Sequence, residues 1–139
     1  MKFKTPSLSA EFSRLHPDVI AAVKALDDFS HANRLPEVVV THAIRTPEQQ
    51  EDIYWRGIAK NTGLPEAEAR AQARKKFSWH LAKCAVDLRN NHYTAVQLAQ
   101  VLEFLKRGRE HPLWEVISHD VGRGNHLHVG RRDFSWRKG

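Results

Sequence analysis

Apolar positions along the chain follow two periods, one helical and one strand-like. From Pro17, the residues Val19, Ile20, Val23, Leu26 and Phe29 recur at spacings of three and four, which predicts an amphipathic helix. Pro17 suits its first turn, the pattern fades at His31 to Asn33, and Leu35 and Pro36 close it. Val38 to Thr41 is a short β-branched run and reads as a buried strand. Thr46, Pro47 and Gln49 then supply a cap, a proline at the first position and a glutamine three residues after the cap. The helix they start carries Ile53, Tyr54 and Ile58 and breaks at Asn61 to Gly63. Pro65 to Lys76, rich in Ala, Glu and Arg, reads as a short solvated helix or an insertion covering one side of a site.

Cys84 to Leu88 reads as a strand, and Tyr93 to Lys106 as an amphipathic helix through Val96, Leu98, Val101, Leu102 and Leu105. Trp114 to Ile117 is a strand, Gly122 to Gly124 a turn, and His126 to Val129 a final strand. The order is α, β, α, α, β, α, β, β, with the last two strands close enough for a hairpin. That order predicts an α+β fold, a small and mainly antiparallel sheet packed by helices. Residues 1–16 read as a polar lead-in, about 17–130 as the core, and Arg131 to Gly139 as a basic tail.

At 139 residues the chain has room for one domain, and a chain of this size needs no disulfide or structural metal merely to fold. The single Cys84 excludes a disulfide framework. The first dozen residues lack the apolar core of a signal peptide, and no apolar run is long enough to span a membrane. Synthesis in the cytoplasm follows as the expectation. Two numbers stand out, nine histidines and a net charge of +6, and the second points to anionic partners.

Three segments carry candidate chemistry: Thr41 to Gln50, Ser78 to Asp87, and Asn125 to Val129. His126 and His128 lie two apart on a strand and project from one face, where two imidazoles can share a metal or a substrate. His80 and Asp87 reach one face if the turn at Leu81 to Lys83 reverses the chain. Two imidazoles and one carboxylate leave a fourth position on zinc for water, the layout of a catalytic site. A lone histidine such as His16, His31, His92 or His111 reads as an ordinary solvated or hydrogen-bonded side chain. Trp79, Tyr54 and Trp55 read as core residues or as the lining of a groove.

Taken together, the three segments resemble the zinc D-Ala-D-Ala peptidase and L-alanyl-D-glutamate endopeptidase family, whose fold the hedgehog signalling domain shares. The family pattern S-x-H-x-x-G-x-A-x-D is matched at Ser78, His80, Ala85 and Asp87, and its H-x-H pattern at His126 and His128. The family's strand and arginine-containing turn look like Val38 to Pro47. The resemblance spans about Val38 to Gly130. It implies Zn2+ ligands His80, Asp87 and His128, His126 beside the reacting carbonyl, and Arg45 steadying a substrate carbonyl or carboxylate. Ser78 would orient the His80 turn. The implied activity is hydrolysis of a peptidoglycan stem-peptide amide, L-Ala-D-Glu or D-Ala-D-Ala, by zinc-activated water. The implied setting is a phage-type endolysin reaching the wall after lysis or export.

Two departures from the pattern matter. Lys83 stands where the family has glycine, and Asn125 stands near the place of its general base, where an amide cannot take a proton. Asp120 is the first replacement, then Glu115, His119 and His126. The alternative is a non-catalytic zinc-binding module of the same fold. A nucleic-acid reading, from Arg70, Arg74, Lys75, Lys76 and the Arg131-Arg132 and Arg137-Lys138 pairs with Trp136, lacks a base-reading motif. The charge suits an anionic cell wall instead, so neither nucleic acid nor membrane is the expected partner.

Overall fold

A computed structural model describes residues 1–76, 78–80, 82–107, 114–119 and 126–133. Its first element is β1 (Lys2–Phe3), followed by α1 (Ser7–Ser13) and α2 (Pro17–Ala32). The N-cap of α2 is His16, whose Nδ1 accepts the Asp18 N–H at 3.0 Å, and Asp18 complements the positive end of the helix. Val19, Ala22, Val23 and Leu26 form its buried stripe. β2 (Val39–His42) leads through Thr46 into α3 (Pro47–Thr62). Thr46 and Gln49 close a reciprocal capping box, and Gly63 ends the helix at φ 72°, a left-handed conformation that glycine adopts without a Cβ clash.

α4 (Glu66–Lys75) folds back on α3, and the fully buried Ala69 and Ala73 admit close approach of the two helices. Arg70 and Arg74 reach across to Asp52, Glu51 and Glu48, exposed pairs of small individual worth. β3 (Ala85–Arg89) precedes α5 (Ala95–Lys106), which a second capping box at Thr94 and Gln97 starts. β4 (Trp114–His119) and β5 (His126–Arg131) complete the described elements.

The sheet order is β1-β2-β3-β5-β4. Among the described residues only the β1–β2 pairing is parallel, so the α+β fold with a mainly antiparallel sheet holds. The lead-in is the correction. Phe3 stacks obliquely on Phe12, Leu8, Phe12 and Leu15 are buried, and the Lys2 and Lys4 N–H groups donate to Val38 and Val40 at 2.8 Å. The core therefore begins well before Pro17, in a segment whose dense Lys, Thr and Ser mask four apolar anchors. At the other end Arg131 closes β5 rather than opening a tail, and residues 134–139 lie outside the described residues.

Strict alternation gives the sheet two unlike faces. Val86 and Leu88 on β3 and Leu127 and Val129 on β5 point into the core with α2 and α5, all at most 1% exposed. Burial of each such side chain contributes about 1.5–3 kcal/mol. Asp87, His126, His128, Glu115 and His119 belong to the opposite face by the same alternation.

Candidate metal centre

His80 is delivered by a tight turn rather than by a strand. Ser78 Oγ accepts the His80 N–H at 3.2 Å, the Cys84 N–H donates to the Trp79 carbonyl at 2.8 Å, and the Lys83 N–H donates to the His80 carbonyl at 3.2 Å. Lys83 takes φ 60°, so it occupies the left-handed conformation that the glycine of the resembled pattern would adopt freely. The residue departs from the pattern while the backbone of the turn keeps its reversal. His80 is thereby folded over the polar face of β3, at 4% exposure.

Register supplies the other two groups. Asp87 lies directly opposite His128 across the β3–β5 pairing, so both side chains leave the sheet on one face. Asp87 Oδ1 stands 3.2 Å from His80 Nε2 and 3.3 Å from His128 Nδ1. Ligand atoms of His80, Asp87 and His128 all lie within 4.8 Å of one another.

The outer nitrogens of both rings fix their tautomers. His80 Nδ1 is 2.9 Å from the Ala43 carbonyl, which can only accept, so Nδ1 carries the proton. His128 Nε2 is 3.2 Å from Glu115 Oε2, which places the proton there. In neutral rings the inner nitrogens are then bare lone pairs, and both face the same carboxylate oxygen. Three acceptors converge with no donor among them. A cation resolves that arrangement, either an added proton or a metal ion. Donor atoms about 2.0–2.1 Å from a tetrahedral ion stand roughly 3.3 Å apart, and the two edges at Asp87 Oδ1 match this spacing.

The protonation energetics agree. Burial alone would raise the Asp87 carboxyl, but hydrogen bonds to His128 and His80 outweigh it and hold the group well below the usual carboxylate range. Burial would lower His128, yet Asp87 and Glu115 together keep it above an ordinary imidazole. Without metal, the shared position is thus a proton trap.

His126 and His119 line the edge of this centre. His126 Nε2 is 3.7 Å from Asp87 Oδ2, and its ring lies 4.9 Å from that of His119, its cross-strand partner. Burial pushes His126 below an ordinary imidazole, with Asp87 opposing. Arg45 is pinned rather than free. Its Nη1 donates to Gln50 Oε1 at 3.1 Å and Ser78 Oγ at 3.3 Å, while the buried Gln50 is itself tied to the Lys76 carbonyl at 2.9 Å. Tyr54 joins this group, its ring centroid 4.0 Å from Lys76 Nζ, and Trp55 is flanked by Arg56 and Arg70. Neither aromatic belongs to the central core.

Of the residues singled out from sequence, His80, Asp87, His128, His126, His119 and Glu115 meet on one face, and Ser78 and Arg45 support the turn. Asp120 and Asn125 lie outside the described residues, as do Leu81 and the Gly122 to Gly124 turn. Cys84 takes no part: burial raises its thiol to about 11, and Sγ donates to the Ala82 carbonyl. His42 was missed. It pairs with Asp87 in register, although Val40, two residues earlier, pairs with Leu88 on the core side. An irregularity between the two switches the strand's phase, and a regular alternation would have sent His42 to the wrong face. Arg132 belongs to the basic pair that the disfavoured nucleic-acid reading drew on. Its guanidinium instead grips Glu115 Oε1 at 2.6 and 2.8 Å.

No family model, curated protein or solved structure matches the chain. Among the described residues no helix is long and apolar enough to cross a membrane.

Proposed function

We propose that the chain is a zinc-dependent peptidase that hydrolyses an amide of the peptidoglycan stem peptide, of the L-Ala-D-Glu or D-Ala-D-Ala type. One observation carries the reading: His80, Asp87 and His128 aim three acceptors at one point, and both imidazoles have their outer nitrogens committed to oxygen. Two imidazoles and one carboxylate suit zinc with an open position, although the same donor set also takes ferrous iron. When bound, zinc supplies an acidified water and polarises a carbonyl.

The chain's own groups do the rest. Arg45, already fixed by Gln50 and Ser78, steadies the substrate carbonyl or carboxylate with little loss of side-chain freedom on binding. His126 stands beside Asp87 on the open side and exchanges a hydrogen bond with the developing oxyanion or the departing amine. Asp120, one residue beyond β4, is the proposed base. The net charge of +6 draws the protein to an anionic wall, the setting of a phage-type endolysin.

Zinc-loaded protein should release new amino groups from purified sacculi, and His80→Ala and His128→Ala should each abolish release. Release at the parent's level by both variants overturns the reading. A non-catalytic zinc module is the second reading, and a specific observation favours it: both Glu115 oxygens are engaged, by His128 and by Arg132. Full zinc occupancy with no turnover of stem peptides at any pH would select it.

A further inference from the structure

Glu115 is fixed from two sides at the rim of the centre. It is the second residue of β4 and lies opposite Gly130, two residues along from the pair formed by Ile117 and His128. Oε2 meets His128 Nε2 at 3.2 Å, and Oε1 takes both donors of Arg132. Its side chain is 16% exposed. The bare backbone of Gly130 makes room for this contact. A Cβ built there would stand 3.1 Å from His128 Nε2, against the edge of the ring that faces Glu115.

From this geometry we infer that Glu115 is a positioning residue: it holds the His128 ring by its Nε2–H so that Nδ1 points at Asp87 and the metal, and it is not the base. The inference rests on the metal reading above. A carboxylate behind a ligating imidazole fixes the ring's tautomer and orientation and makes the inner nitrogen a better donor. Arg132 keeps the carboxylate in place, and Gly130 keeps the approach open. Ring, carboxylate and guanidinium therefore act as one relay across β5, β4 and the residue after β5. A base must reach the open side of the ion, whereas the Glu115 carboxylate lies behind the ring.

The test compares Glu115→Met with Glu115→Gln, which match in size and differ in the acceptor for Nε2–H. Zinc affinity is measured by competition with a chromophoric chelator, beside circular dichroism and the thermal midpoint of each variant. Glu115→Met should bind zinc on the order of 10–100-fold more weakly. Glu115→Gln should recover most of that loss, because its amide oxygen still accepts. Gly130→Ala should weaken zinc in the same direction as Glu115→Met, because its Cβ crowds the ring at 3.1 Å and the ring must shift to admit it. Parent-like affinity in Glu115→Met, or equal weakening in the Met and Gln variants, overturns the inference. The metal reading is scored separately on the parent and His80→Ala. If the parent holds no zinc, both fall; if its zinc is lost in His80→Ala but kept in Glu115→Met, only the relay falls.

Discussion

Val86 and Asp87 are neighbours on β3, yet one is sealed beneath two helices while the other meets three imidazoles on the opposite face. The same strands build both faces, and the period-two pleat alone separates them. On the core face, residues are interchangeable apolar volume whose burial stabilises the fold. On the polar face, each group is defined by what it hydrogen-bonds, and the most buried of them, Asp87 at 3% exposure, stays charged. A slip of one residue in the β3–β5 register would exchange the two sets, so the core face fixes the register that aligns Asp87 with His128. Stability and chemistry are thus coupled through register, while the side chains responsible for each are distinct.

The largest effect that can break this division is a pair of adjacent substitutions. Asp87→Ala should remove detectable zinc binding and leave a folded chain. Leu88→Ala should cost about 2–5 kcal/mol in urea unfolding and leave the zinc affinity of the folded protein unchanged. Zinc retained by Asp87→Ala would remove Asp87 from the site, and zinc lost equally in both would show that the faces are not independent.

A smaller effect is expected from pH. Asp87 is depressed, so its contribution is complete above its unfolded value near 3.8 and is lost as pH falls below that. His128 is raised, so its contribution is complete below about 6.5 and is lost as pH rises through the higher folded value. Metal-free protein should therefore show a shoulder of stability between roughly pH 4 and 6.5. Saturating zinc should extend it upward, because the ion takes over the role of the proton. His128→Ala should lack the upper edge, and Leu88→Ala should lower the whole curve without changing its shape. An identical edge in His128→Ala would remove the site from the explanation. The smallest effect is at the turn: Lys83→Gly should raise stability by up to about 1 kcal/mol, since left-handed strain outweighs the entropy glycine adds. A loss of stability would mean that the lysine side chain contributes there.

The helices from α2 onward were legible because their signals are local, whereas α1 lay inside the segment read as a polar lead-in. Pro17, Thr46 and Gly63 mark ends that the backbone respects. The strands were legible in their apolar centres and not at their polar ends, so β2, β3, β4 and β5 each run further than the apolar runs do. Those ends hold His42, His119 and Arg131. Asp87 and the two strand histidines could be placed together by alternation, and the turn that brings His80 to them matched its pattern despite Lys83. What sequence could not give is whatever depends on the phase switch in β2 or on pairing between distant segments. The alignment of Glu115 with Gly130, and the grip of Arg132 on Glu115, are of this second kind.

The account rests on a metal at the polar face, and zinc-edge anomalous diffraction from zinc-soaked crystals tests it most directly. One peak is predicted per chain, roughly 2.0–2.2 Å from His80 Nε2, an Asp87 oxygen and His128 Nδ1. No peak there, or a peak on the Nε2 side of His128, would contradict it.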